Sequence, residues 1–359
     1  MLPSGVLTTR YESDIAILRT KTQWLLLVAA IAFLFSIALF VSDYWLTWLT
    51  RVVIAIVAVL GLHILTGLCG QFSIGHMAFL GVGAYTVAIL TNNYELSAWV
   101  CLPLAGLAAG LVGLFFGLPC FRLKGFYLAI STLAASFIIV WLMEHFEWHN
   151  AAGLPVGGHI GLPMARLTLG PVDFHESKGV FYCLAVAIML IATFFAKNIQ
   201  RTQTGRAFVA IRDNELAAEI SGISLFRYKM LAFFVGCFYA GIAGWLWAYS
   251  LRSVNPLQFT LYDSIWLFGM LIIGGVGSTT GVFFGVVSFR LLEQLIDYIR
   301  EPLENAFPSV APQMNIALSL GVFSVVLLVF LILEPRGLYY RWEKFRTYYR
   351  LYPYAFIRD

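Results

Sequence analysis

The chain has 359 residues, 60% of them hydrophobic and 12% charged, with a mean hydropathy of +0.83 and a formal net charge of +4. A soluble domain carries about a quarter charged residues, so this composition excludes a soluble globular fold and leaves an integral membrane protein. The five cysteines, Cys69, Cys101, Cys120, Cys183 and Cys237, lie in or at the ends of apolar runs. Their spacing suggests neither a metal site nor a disulfide framework.

Continuous apolar runs near 23–42, 49–69, 76–91, 98–118, 126–146, 179–196, 229–250, 262–279, 281–299 and 314–333 predict ten spans. A hydrocarbon core of about 30 Å takes about 20 apolar residues per helix. Runs without strand-like alternation predict helices, not a barrel. The expected fold is an all-α polytopic transmembrane helix bundle of about ten spans, with both termini inside. The first run has no small-residue cleavage site after it and reads as an anchor. Residues 1–22 are a cytoplasmic leader, 23–333 the membrane domain, and 334–359 a basic, aromatic cytoplasmic tail suited to the lipid headgroup zone. In this topology seventeen of the 23 Lys and Arg residues fall in inside segments and five in outside ones, with Arg290 left within a span. That is a positive-inside bias. Spans 2–5 and 7–10 are candidates for inverted copies of one another.

In chain order, the first interruption is Gly67-Leu68-Cys69-Gly70-Gln71-Phe72-Ser73-Ile74-Gly75-His76. Two readings stand: a broken span whose Gln71, Ser73, Gly75 and His76 line or gate a passage, or an ordinary inside turn. Gly106, Gly110, Gly113 and Gly117 share a helical face and predict close helix packing, as do Gly277, Gly281 and Gly285. His145 and His149 stand four apart, but the segment is not H-E-x-x-H and lacks a third ligand, so no metal site is expected. The outside loop 147–178 is rich in Gly and Pro and nearly neutral. Residues 197–229 form the long charged interruption, in which 206–221 read as one amphipathic helix ended by Gly222, with Arg212 placed to pair with Glu215. Arg290 and Glu293 lie three apart within span 9, share a face and can pair. As intramembrane charges they are candidates for the lining of a passage.

The chain has no Gly-Lys dipeptide and hence no Walker nucleotide site, and no G-x-S-x-G or catalytic triad arrangement. It reads as a non-enzyme with no cofactor of its own.

The segment Gly205-Arg206 through Gly222 resembles the coupling loop of bacterial ABC importer permeases of the branched-chain amino acid family. The likeness extends to Gly70–Tyr85, Arg122–Ala129, Ile273–Ser278 and Glu334–Leu338, five blocks in the family's order. Against the broader E-A-A-x-x-x-G pattern, Ala217, Ala218 and Gly222 fit, while Leu216 takes the Glu position and Ile223-Ser224-Leu225 lacks the later proline. The stretch Ala152–Gly158 matches the family's outer glycine-rich motif only loosely. The resemblance implies one of two membrane subunits of an importer in the bacterial inner membrane. Its partners would be two cytosolic ATPases that bind the ATP, a second, homologous permease, an extracytoplasmic solute-binding protein and membrane lipid, with no nucleic acid. The coupling residues it implies are Gly205, Arg206, Arg212, Asp213, Glu215, Ala217, Ala218, Glu219 and Gly222. The implied solutes are branched-chain or related small amino acids, with urea or short amides as alternatives. An ion-coupled secondary transporter using Arg290 and Glu293 is the competing class.

Overall fold

The computed structural model describes residues 21–120, 126–145, 147–149, 155–157, 161–164, 167–169, 172–173, 177–306, 311–334 and 336–351. The leader 1–20, Arg122–Gly125, part of the Ala152–Gly158 stretch, Pro335 and the last eight residues of the tail lie outside the described residues.

The fold is an all-α polytopic bundle. A helix of 14 to 28 residues lies on each of the ten predicted runs: α1 Lys21–Phe40, α2 Asp43–Leu62, α3 His76–Asn93, α4 Ala98–Cys120, α5 Phe126–His145, α6 Lys178–Ile199, α9 Leu225–Leu251, α10 Leu261–Gly274, α11 Thr279–Ala306 and α12 Ala311–Leu333. Between α6 and α9 lie two short helices, α7 Gln203–Asp213 and α8 Glu215–Ile220, and α13 Leu338–Leu351 closes the described chain. Among the described residues, eight helices are long and apolar enough to cross a membrane, or nine if the bent pair Leu320–Leu333 and Leu338–Tyr348 is one span. Short antiparallel ribbons, including Leu162–Pro163 paired with Ser253–Val254, interrupt the loops.

α9 is the spine of the bundle, packed along α2, α3 and α4. Its approach to α4 explains the glycine face read from the sequence. A Cβ built at Gly106, Gly110 or Gly113 would come within 2.5–2.8 Å of Phe238, Phe234 or Cys237 of α9. Gly241 of α9 abuts the Ala105 carbonyl, where a Cβ would sit at 2.4 Å. Lipid offers little hydrophobic drive for helix association, so close backbone approach has to supply the packing energy. Of the second glycine set, Gly281 and Gly285 pack against the α10 backbone, whereas Gly277 faces open space.

Segments expected on one side of the membrane lie together at one end of the bundle. There His63 meets Gln200 and Val276, Arg212 meets Gly67, and Gly275 meets Arg336. The opposite end gathers Asp43 with Lys178 at 3.6 Å, Tyr44 with Gln294 at 3.0 Å, and the Leu162–Val254 ribbon. In the tail, Arg336 and Lys344 stand over the Tyr340 ring at 4.8 and 5.1 Å.

Replacing Gly241 with Leu overpacks the α4–α9 contact. The variant is expected to lose about 1–3 kcal/mol, measured as a lower midpoint of thermal unfolding in detergent, while Gly277→Leu leaves that midpoint unchanged.

Candidate functional site: a helix break clamped by the charged loop

α2 does not end cleanly. Residues His63–Leu68 widen into a π-helical turn, and the chain then runs irregularly to Gly75 before α3 begins. Single π turns of this kind recur at functional positions. Several backbone groups freed by the break find partners nearby, as a membrane interior demands. Gly70 N donates to the Thr66 carbonyl, Gln71 N to the Leu65 carbonyl, and the Thr66 hydroxyl to the Gln71 carbonyl at 3.0–3.1 Å. Ile74 N donates to the Thr132 hydroxyl of α5 and Met77 N to the Ser264 hydroxyl of α10, both at 3.1 Å. Gly75 lies so close to α5 that a Cβ would meet the Thr132 carbonyl at 2.2 Å.

Most of the break is packed against protein, although Phe72 is exposed. Gln71, Ser73 and His76 are all buried. Gln71 Oε1, Ser73 Oγ and both ring nitrogens of His76 have no well-formed hydrogen bond among the described residues, although the His76 ring lies beside the Ala58 carbonyl.

The charged loop holds this break at two points. Arg212 Nη1 donates to the Gly67 carbonyl at 3.0 Å, while its Nε and Nη2 bind Asp213 Oδ1 at 3.0 and 2.9 Å. Gly70, at φ +73°, lets the chain turn beneath Arg212; a Cβ there would crowd the arginine at 3.0–3.3 Å in a backbone conformation that side chains disfavour. At the other end of the π turn, His63 Nδ1 donates to the Val276 carbonyl at 2.9 Å, so its Nε2 accepts from Gln200 Nε2 at 3.0 Å. Gln200 Oε1 in turn accepts from the Thr279 hydroxyl at 3.1 Å. The π turn is thus tied to the start of the loop, to its middle, and to the α10–α11 junction.

The loop itself departs from the expected single helix. Asn214 is extended (φ −160°, ψ 111°) and its side chain caps Ala217 N, which ends α7 and starts α8. Asparagine favours such caps over helix interiors because it competes for local backbone groups. The kink splits the expected apolar face. Phe208 and Ile211 are buried against the bundle, whereas Leu216 and Ile220 are 66% and 88% exposed. Glu215 makes a 2.6 Å ion pair with Lys229 of α9, whose side chain is 3% exposed. Arg212 thus serves the Gly67 carbonyl and Asp213, and Glu215 is anchored to α9, in place of the expected Arg212–Glu215 pair.

Of the remaining predicted loop residues, Gly205 packs on the end of α6, Ala218 is buried, and Arg206, Ala217 and Glu219 are exposed. Gly222, at φ +83°, ends α8 as expected, its N–H bonded to the Glu219 carbonyl at 2.9 Å. His63, Gln200, Thr279 and Lys229 are the functional candidates that sequence reasoning passed over. An ionisable His63 inside an apolar run was a legible signal; the others are visible only through their partners.

Arg290 and Glu293 do pair, Nη1 to Oε2 at 2.7 Å, on α11 and away from the break. They stand between two neighbouring cavities. The outer one, about 540 Å³, is lined by Arg51, Lys178 and Asp297 among others; the inner, about 270 Å³, by Ile54, Leu80, Leu267, Met270 and Met77. Trp266, Arg290 and Glu293 border both. Among the described residues no group of three His, Cys, Asp or Glu side chains could hold a metal ion.

Residues 44–331 match the family described as branched-chain amino acid transport system / permease component. The chain is 33% identical over 294 residues to the high-affinity branched-chain amino acid transport system permease protein LivM of Salmonella typhimurium, covering 76% of this chain and 68% of that one. Against LivM of Escherichia coli it is 32% identical over 300 residues, 78% of this chain and 71% of the other. The ribose import permease protein RbsC of Haemophilus influenzae is more distant, at 26% over 62% of this chain and 74% of its own. No solved structure gives a significant match.

Removing one member of a buried ion pair leaves the other charge unpaired, at a cost of about 3–5 kcal/mol. Lys229→Met is therefore expected to loosen α8, seen as faster amide exchange over 215–222. Lys229→Met with Glu215→Gln should recover most of that protection.

Proposed function

The chain belongs to the family of branched-chain amino acid transport system permease components, and from that premise we propose that it is the membrane-spanning permease subunit of an ATP-driven importer in a bacterial inner membrane. It forms half of a passage for branched-chain or related small amino acids, beside a second permease. Two cytosolic ATPases, which bind and hydrolyse the ATP, dock on the α7–α8 loop, and an extracytoplasmic binding protein delivers solute to the opposite end.

The observation that carries this reading is the hydrogen bond from Arg212 to the Gly67 carbonyl. It joins the one long charged surface loop to the one break in the buried helices α2 and α3. A partner pressing on α8 meets Leu216, Glu219 and Ile220 on its exposed face. The displacement passes to α9 through Glu215–Lys229, and to the break through Arg212–Gly67 and Gln200–His63. The break residues Gln71, Ser73 and His76 hold polar atoms without a well-formed hydrogen bond among the described residues, which makes their packing cheap to rearrange relative to a fully bonded network. An ion-coupled transporter built on Arg290 and Glu293 would leave the charged loop and its clamp without a role.

Uptake into vesicles carrying the assembled complex, with the binding protein outside, tests the reading. Amino acid accumulation is expected with ATP inside and none without it; accumulation driven by an ion gradient alone would overturn it. Leu216→Ser with Ile220→Ser should cut recovery of the ATPase in pull-downs about tenfold, as loss of central apolar contacts does, without moving the melting temperature. Arg212→Ala is expected to keep the ATPase bound and hydrolysing while uptake falls, since it removes the connection behind the docking face.

A further inference from the structure

The two neighbouring cavities on the α11 side of the bundle are unlike one another. The outer one is a mouth of mixed charge, with Arg51, Lys178, Glu293 and Asp297 around it. The inner one is largely apolar and aromatic, lined by Leu80, Trp247, Leu267 and Met270, with Asp263 in its wall. At their junction stand three groups, Trp266, Arg290 and Glu293. Two donors there are buried and have no acceptor among the described residues: Arg290 Nε and the Trp266 indole N–H. Glu293 occupies Nη1 at one edge of the guanidinium, which leaves the Nε edge for a second planar anion. A buried donor without an acceptor costs about 1–3 kcal/mol, so the junction lacks an acceptor that a bound molecule would supply.

We propose that this junction is a solute-binding site for an α-amino acid in its zwitterionic form. The carboxylate lies on the Nε edge of Arg290 and accepts from the Trp266 indole, and the ammonium lies on Glu293. The side chain enters the inner cavity, whose 270 Å³ suits a small branched apolar group. Solute and ion pair match charge for charge, so Arg290 and Glu293 stay paired as the molecule arrives and leaves. Asp263, which also lines the inner cavity, caps α10, its Oδ2 accepting from Thr260 N and Oγ1. A polyol or urea entering the inner cavity would bury hydroxyl or amide groups against apolar carbon, at a cost of a few kcal/mol per unmatched group. The site therefore selects amino acids over the neutral solutes that more distant members of the family, such as the ribose permease, carry by name.

The inference rests on the permease reading, and two measurements separate the two. The first is binding of radiolabelled leucine to the assembled complex in nanodiscs, with neither ATP nor binding protein; the second is ATP-driven leucine uptake with both. Wild type is expected to bind leucine, with 4-methylpentanoate and leucinamide each competing weakly and urea and ribose not at all. Arg290→Lys keeps the charge and a pair with Glu293 but not the planar fork, and is expected to weaken binding about tenfold, the loss of one charged hydrogen bond. A role confined to helix packing would leave Arg290→Lys at wild-type affinity, which overturns the site. Ala55→Leu narrows the inner cavity and should penalise leucine more than alanine by about tenfold; equal effects on both would also overturn it. Uptake that depends on ATP without any leucine binding to the complex refutes the site and keeps the permease reading. Binding that persists where ATP drives no uptake does the reverse.

Discussion

A helix that stops within a membrane bundle frees backbone donors and acceptors that lipid cannot satisfy. In this chain the stop falls at 63–75, and the way those groups are satisfied shapes everything around it. Carbonyls of the π turn accept from Arg212, Gly70 N and Gln71 N, while amides beyond it donate to hydroxyls of α5 and α10. The bonds from Arg212, to Thr132 and to Ser264 each recruit a different element, so the break becomes the point where α2, α5, α10 and the charged loop are fastened together. A straight helix would have satisfied itself and tied none of them.

The fastening differs in kind from the packing of α9. There, glycines on α4 and α9 allow backbone contact over several turns, and the bundle resists change because no small movement preserves the fit. At the break the restraints are a few directional bonds to long side chains, and polar atoms of Gln71, Ser73 and His76 are left over. One region is rigid by close contact, the other adjustable by exchange of partners. A machine worked from outside needs both: a frame that does not yield, and a joint that does.

The Lys229–Glu215 and Arg290–Glu293 ion pairs divide along the same line. In Lys229–Glu215 the lysine is sealed and the glutamate 22% exposed, and the pair holds α8 on α9. Arg290–Glu293 borders open volume, and one guanidinium edge is unspent. A charge paired across two helices orders a structure; a charge beside a cavity with a donor to spare is available to a ligand.

Much of the fold was legible from hydropathy alone, because spans follow from the thickness of a bilayer and require no knowledge of neighbours. The break at Gly67–His76, the helix stop at Gly222 and the Arg290–Glu293 pair are likewise local, set by glycine conformation or by a spacing of three along one helix. The single helix expected over 206–221 failed at Asn214, where a side-chain cap outcompeted helical periodicity. What only the tertiary structure decided is which distant groups meet: Arg212 with Gly67 across 145 positions, His63 with Gln200 across 137 and with Val276 across 213. Such pairings leave no periodic trace in a chain, since they depend on how helices pack side by side. The sealing of Lys229 and the exposure of Leu216 and Ile220 were hidden for the same reason: burial belongs to the assembled bundle, not to the residue.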